Sequence, residues 1–244
     1  MTTTGRVRIG TSGWTYAHWR GTFYPAGTRQ QDLLAAYADR FESVEINNTF
    51  YNLPSAETVA TWRAQTPADF RFAAKASRYL THMKKLKHPG EPLERLFGCI
   101  DGLGDKLGPV LFQLPPRWRM NPDRLESFIE ALPGGRRYAF EFRDASWHHR
   151  RILELLAQRR AAFCIFDLAG LRSPIEATAD FVYLRLHGPG GPYQGSYDGR
   201  TLSGWARRML GWSRAGKDVY CYFDNDQKGY APRDALRLKE MVER

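Results

Sequence analysis

The sequence predicts an α/β chain folded as a single (β/α)8 TIM barrel whose sixth helix is short or missing. Three observations carry this. Eight short β-rich runs recur along the 244 residues. Most intervals between them hold a helix-length stretch with apolar residues at three-to-four spacing. No G-x-G-x-x-G follows the first run, so the usual signal of a dinucleotide-binding open sheet is missing. Alternation of strand and helix implies parallel strands joined by crossover helices, and eight repeats in about 250 residues match a closed barrel.

The runs are VRIGTSGW (7–14), SVEINNTFY (43–51), RFAAKASR (71–78), GPVLFQL (108–114), RRYAFEFR (136–143), AFCIFDL (162–168), FVYLRLHG (181–188) and DVYCYFDN (218–225). Helical periodicity marks DLLAAYADRF (32–41), DRLESFIEAL (123–132), RILELLAQRR (151–160) and LSGWARRMLGWS (202–213). Between the sixth and seventh runs SPIEATAD is too short for a full helix. No linker divides the chain, so residues 1–244 read as one domain.

Composition is globular, 43% hydrophobic and 14% aromatic. The first residues lack an apolar signal segment and no run approaches a membrane span, so the expectation is a soluble, cytoplasmic protein. The three cysteines, Cys99, Cys164 and Cys221, show no C-x-x-C spacing, and the last two read as small buried hydrophobes. Net charge is +10, which attracts anions such as phosphates, nucleic acid or acidic metabolites.

The two rims of the predicted barrel differ. Connections into strands are short and plain: PADF (67–70), PGGRR (133–137) and RAGKD (214–218). All six histidines, His18, His82, His88, His148, His149 and His187, fall just after a strand. Every strand also ends in polar residues: Thr11 and Ser12, Glu45 and Asn47, Lys75, Gln113, Glu141 and Arg143, Asp167, Arg185 and His187, Asp224 and Asn225. Period-two alternation puts Glu45 with Asn47, Glu141 with Arg143 and Arg185 with His187 on shared faces, with Ile46, Phe142 and Leu186 opposite. Catalytic groups of such barrels project from the C-terminal ends of strands. A structural salt-bridge cluster, Glu141 with Arg185 for example, is the competing reading.

The loops add detail. GWTYAHWRGTFYP after the first strand offers Trp14 and Tyr16 to a flat ligand, or plugs the barrel mouth. SRYLTHMKKLKH carries His82 before a basic run, either a solvated face or an anion-binding loop. HGPGGPYQGSYDG is glycine-rich, as phosphate-binding loops of barrels are and as ordinary turns are. DNDQKGYAP resembles a calcium loop, but Lys228 stands where an oxygen ligand belongs and no glutamate closes it, which excludes calcium. Glu45, Glu141, Asp167, His187 and Asp224 offer ligand chemistry for Mn²⁺, Mg²⁺ or Zn²⁺. No metal-binding spacing supports it, and Lys75, Arg143 and Arg185 compete for the carboxylates.

GTSGWTYAHWRGTFYP, VEINNTFYNLP, FRFAAKASRYLTH, LGPVLFQLPP, YAFEFRDASW, FVYLRLHG and VYCYFDNDQKGYAPRDA together resemble the domain of unknown function 72 family, the YecE-like proteins. They run in order from about residue 9 to residue 240. The resemblance implies a TIM barrel and supplies no reaction. Its motif residues include Trp14, Glu45, Lys75, His82, Gln113, Glu141, Arg143, Arg185, His187, Asp224 and Asn225.

Three functional readings remain open. The first is an enzyme (hydrolase, isomerase or lyase) acting on a phosphate- or carboxylate-bearing substrate. Arg143, Arg185 and Lys75 would hold the anion, and Glu45 or Glu141 would act as base. His187 or His82 would shuttle the proton, and Asp224 with Asn225 would orient a hydroxyl. Trp14, Tyr16, Asn47 and Gln113 complete the candidate binding set. The second is a nucleic-acid-binding protein or nucleic-acid enzyme using the basic, aromatic rim. The third is a module that sequesters a small ligand.

Overall fold

The computed structural model describes residues 4–244. In chain order the elements are β1 (Val7–Thr11), α1 (Leu33–Ala38), β2 (Ser43–Ile46), α2 (Asn48–Tyr51), α3 (Ala56–Ala64), β3 (Arg71–Lys75), α4 (Gly90–Ile100), β4 (Leu107–Leu114) and α5 (Pro122–Glu130). Then follow β5 (Tyr138–Phe142), α6 (Arg150–Gln158), β6 (Ala162–Leu168), β7 (Leu171–Arg172), β8 (Phe181–Leu186), α7 (Gly199–Arg214), β9 (Asp218–Phe223) and α8 (Tyr230–Glu243). The fold class is α/β, a parallel (β/α)8 TIM barrel.

All eight runs form strands, most of them shorter than the β-rich pattern. The run 43–51 stops at Ile46, because Asn47 takes helical backbone angles and Asn48–Tyr51 become a helical turn. The run 71–78 stops at Lys75, and Tyr79–Met83 form a π-helical turn. The sixth helix is missing. After β6, Ala169 and Gly170 turn with φ of 53° and 82°, and β7 pairs antiparallel with β6. Helix starts follow capping chemistry: Ser55, Asn121 and Asp198 each accept a backbone N–H of the first turn, and Pro122 occupies the first turn of α5.

Two compact units divide the chain. The first comprises Met1–Glu45, Ile165–Ile175 and Asp180–Arg244. Its strands run β1, β9, β8, β6 as neighbours, with Val7 opposite Val219 and Val182 opposite the same residue. A parallel bridge joins Ser12, just past β1, to Glu45. The second unit comprises Ile46–Cys164 and Glu176–Ala179. Here β3, β4, β5 and the start of β6 are neighbours. Phe112 stacks on Phe140 at 5.3 Å, and Phe142 on Trp147 at 4.9 Å. Each such buried ring contributes about 1.5–3 kcal/mol of transfer free energy. The loop after the π-turn holds three non-glycine residues left-handed: Lys85 (φ 48°), Leu86 (φ 64°) and His88 (φ 45°). Each costs about 1–2 kcal/mol.

Candidate functional site

Within the first unit, strand periodicity builds a charged layer. Tyr183, Arg185 and His187 follow each other at period two along and just past β8. Arg185 lies opposite Tyr222 of β9, so Tyr222 and Asp224 share its face. Ser43 and Glu45 stand in the same relation on β2, and the Ser43 hydroxyl lies 2.6 Å from the Tyr222 hydroxyl. Glu45 accepts from Ser12 Oγ (2.8 Å), Tyr183 Oη (2.7 Å) and Arg185 Nη2 (2.7 Å). Arg185 Nη2 also donates to Asp224 Oδ2 at 3.2 Å, and that same oxygen lies 3.0 Å from His187 Nδ1. An ionised carboxylate only accepts, so Nδ1 carries hydrogen and Nε2 is the basic nitrogen of the neutral ring. Glu45, Arg185 and His187 are fully buried, whereas the Asp224 side chain is 15% exposed.

Around this layer the aromatic segment after β1 packs as a plug. Trp14 and Trp19 are buried, and Trp19 Nε1 donates to Asp226 Oδ1 at 2.6 Å. Tyr16 stacks on Trp19 at 4.8 Å and donates to the Ser12 carbonyl at 2.6 Å. Burial, then the nearby Asp224, Asp226 and Glu45, push the Tyr16 phenol far up, so it keeps its proton. Burial raises the Asp226 carboxyl against the pull of Trp19 and His18. Trp14 thus lies in the core, while Tyr16 borders the charged layer.

Asn225 has a mostly structural task. Its amide donates to the Gly195 carbonyl and to Asp234 Oδ2, both at 2.9 Å. Fully buried Asp234 also accepts from Ser196 Oγ and the Tyr197 N–H. Together they clasp the glycine-rich loop. Asp167 accepts from Arg172 of β7 at 2.9 Å, apart from the Glu45 group.

Within the second unit, Glu141 is fully buried and ion-paired to Arg143 Nε. The Cys164 thiol donates to Glu141 Oε2 at 3.7 Å, and Gln113 lies opposite Glu141 in the sheet. Within its own unit each of these charges has a partner: Arg185 pairs with Glu45, and Glu141 with Arg143. Lys75 Nζ sits 4.4 Å from the centre of the Phe50 ring, and His82 meets that ring edge-on at 5.1 Å. Asn47 begins α2 with a buried Oδ1 that accepts no hydrogen bond. Partial burial, then Lys75, Arg78 and Arg143, lower His82 from 6.5 to about 4. Thr81 Oγ1 donates to the Ser77 carbonyl, so at 2.9 Å from His82 Nδ1 it accepts. His82 is then neutral at pH 7 with Nε2 as its acceptor, which suits receiving a hydrogen bond rather than releasing a proton.

Of the remaining histidines, His149 caps α6 and His18 pairs with Asp226 at 3.0 Å. Among the described residues no three of His, Cys, Asp and Glu come together as a metal-ligand set. No described helix is long and apolar enough to cross a membrane. Ser12, Ser43, Tyr183, Tyr222 and Asp234 were not among the candidates. Tyr183 was readable from its period-two relation to Arg185 and His187. Asp234 was readable as an acid on the otherwise apolar face Ala231, Ala235, Leu238 of α8.

The matching family model is described as "Protein of unknown function DUF72" and spans residues 8–244. The chain is 25% identical over 270 residues to the UPF0759 protein YunF of Bacillus subtilis, covering 97% of this chain and 95% of that one. A local match to the UPF0759 protein YecE of Escherichia coli is 34% identical over 113 residues, 45% of this chain and 41% of that one. A solved DUF72 family structure from Thermotoga maritima is similar with a TM-score of 0.89 and 30% identity, covering 98% of this chain and 100% of that one. A second, from Enterococcus faecalis, gives 0.84 at 18% identity, covering 98% and 96%, and shows the shared fold. The chain belongs to the DUF72 family.

Proposed function

We propose that this protein is an enzyme that moves protons on a small anionic substrate, with Asp224 and His187 as its acid/base pair. One observation carries the reading. A single Asp224 oxygen joins a buried imidazole to a buried guanidinium, and of Glu45, Arg185, His187 and Asp224 it is Asp224 that meets solvent. Removing ions from water costs several kcal/mol each, and an apolar layer of equal volume is often as stable or more so. A carboxylate-imidazole pair at the C-terminal ends of barrel strands is where acid/base chemistry is expected. In this reading Asp224 orients His187, Arg185 keeps Asp224 ionised, and Glu45 neutralises Arg185. Tyr16, its proton retained and given to the Ser12 carbonyl, borders the group as a fixed wall. The anionic class rests on the +10 charge.

The test is to incubate the protein with a bacterial metabolite extract and follow its composition by mass spectrometry. An anionic compound should be converted by the wild type and not by Asp224→Asn. Equal conversion by both proteins would remove Asp224 from the reaction.

A second reading, single-strand nucleic-acid binding, is favoured by exposed Tyr51 (74%), Tyr79 (43%) and Met83 (68%) in the second unit, with Lys84 over the Tyr79 ring. Exposed rings and cations are the usual platform for stacked bases. Oligonucleotide titration at two salt concentrations checks it. Affinity that falls with salt and with Tyr51→Ala supports it, and affinity indifferent to both rejects it.

A further inference from the structure

A cleft of about 360 Å³ lies in the second unit, bounded by the loop 86–89 and by α5. Its size falls in the range of small-ligand pockets, about 300–1,000 Å³. Arg124, Ser127 and Phe128 contribute from one helix face, since positions i, i+3 and i+4 are neighbours on a helix. Leu86, Lys87 and His88 contribute from the loop. Leu86 is buried and left-handed, and it seats the two basic residues that follow it.

Among the described residues, several arginines elsewhere on the surface are committed to carboxylates, and the basic side chains of this cleft are not. Arg63, Arg136, Arg150, Arg151 and Arg159 are each ion-paired to a carboxylate. Lys87, His88 and Arg124 have no carboxylate partner among the described residues, although all three line one concavity. Asp123, beside Arg124 in sequence, is taken by Arg151 at 3.1 Å. Three basic side chains lining one open volume suit a tetrahedral dianion, and guanidinium pairs with phosphate through two parallel hydrogen bonds. Leu86 and Phe128 are buried behind them and form the floor on which the loop and the helix are seated.

We propose that this cleft is a binding site for a phosphate-bearing small molecule, separate from the Asp224 group. Lys87 and Arg124 grip the phosphate, and His88 donates to it.

The experiment is calorimetric titration of the full chain with inorganic phosphate and with phenyl phosphate. Saturable one-to-one binding of both probes is expected, because each carries the dianion that the three basic side chains hold. Lys87→Ala and Arg124→Ala, both at solvent-reaching positions, should each weaken phenyl phosphate at least about fivefold, and Asp224→Asn should leave it unchanged. Circular dichroism of each variant confirms its fold, and Lys217→Ala, distant in sequence and outside the cleft, controls for general loss of positive charge. Absence of saturation by about 10 mM overturns the site. Undiminished binding by both cleft variants, or a loss as large in Lys217→Ala, overturns its placement. Loss of binding in Asp224→Asn overturns its independence from the proposed catalytic group.

Discussion

Arg185 is the most consequential side chain of the first unit, and Arg185→Met tests why. The guanidinium is fully buried, and its Nη2 lies 2.7 Å from Glu45 and 3.2 Å from Asp224. Methionine fills much of the same volume but removes the charge. Glu45 keeps the Ser12 and Tyr183 hydroxyls as donors and loses its counter-ion. Breaking a buried ion pair by deleting one partner costs about 3–5 kcal/mol. For chains of 150–250 residues each kcal/mol moves the melting temperature by roughly 2–4 °C. Scanning calorimetry should therefore show a fall of about 6–20 °C. Glu45→Gln with Arg185→Met should recover at least about 1 kcal/mol of this, because the amide oxygen still accepts from one of the Ser12 and Tyr183 hydroxyls, the other can turn to accept from the amide nitrogen, and the Glu45 charge left without Arg185 is gone. If Arg185→Met melts within about 2 °C of wild type, the buried charges are not coupled as described. If the double variant is no better than the single, the loss comes from packing instead.

Three further outcomes follow from the same geometry. NMR titration of His82 should give a midpoint about 4, with Lys75→Met raising it toward 6.5, and an unshifted midpoint in the wild type would refute the cationic surroundings. The sign for stability is fixed: the folded pKa is depressed, so the contribution of neutral His82 is present above pH 6.5 and is lost as pH falls toward 4. Asn225→Ala, which takes one donor from Asp234 and the side-chain donor from the Gly195 carbonyl, should cost about 1–3 kcal/mol and speed hydrogen exchange and proteolysis in the glycine-rich loop; unchanged protection there would assign the clasp elsewhere. Cys221, buried and with its thiol pushed well up by desolvation, should resist iodoacetamide until the chain unfolds, whereas fast labelling of the native protein would contradict its burial.

Much of the fold was legible in the sequence because the strands are buried on both faces. AFCIFDL reads as a continuous apolar run and forms β6 over the same residues, 162–168. Strand ends were less legible. NTFY and YLTHM have the aromatic and β-branched composition of strands, yet local backbone bonding turns them into a helical turn and a π-turn. The missing sixth helix was visible as a short interval, but the β6–β7 hairpin was not, since Leu171 and Arg172 carry no strand signal. Period two correctly grouped Arg185 with His187. It could not show Glu45 and Asp224 as partners of Arg185, because pairing depends on which strands are neighbours. Nor could it show that Asn225 binds the loop 195–197 through Asp234, a contact that requires α8 to be in place.

The central claim is that the Asp224–His187 pair is a working acid/base group rather than a buried brace. Its most direct test is a crystal structure of Asp224→Asn soaked with the metabolite that the wild type consumes. The account predicts density for that compound within hydrogen-bond distance, about 2.7–3.2 Å, of residue 224 or His187. Density confined to any other part of the molecule, such as the cleft beside Arg124, would contradict it.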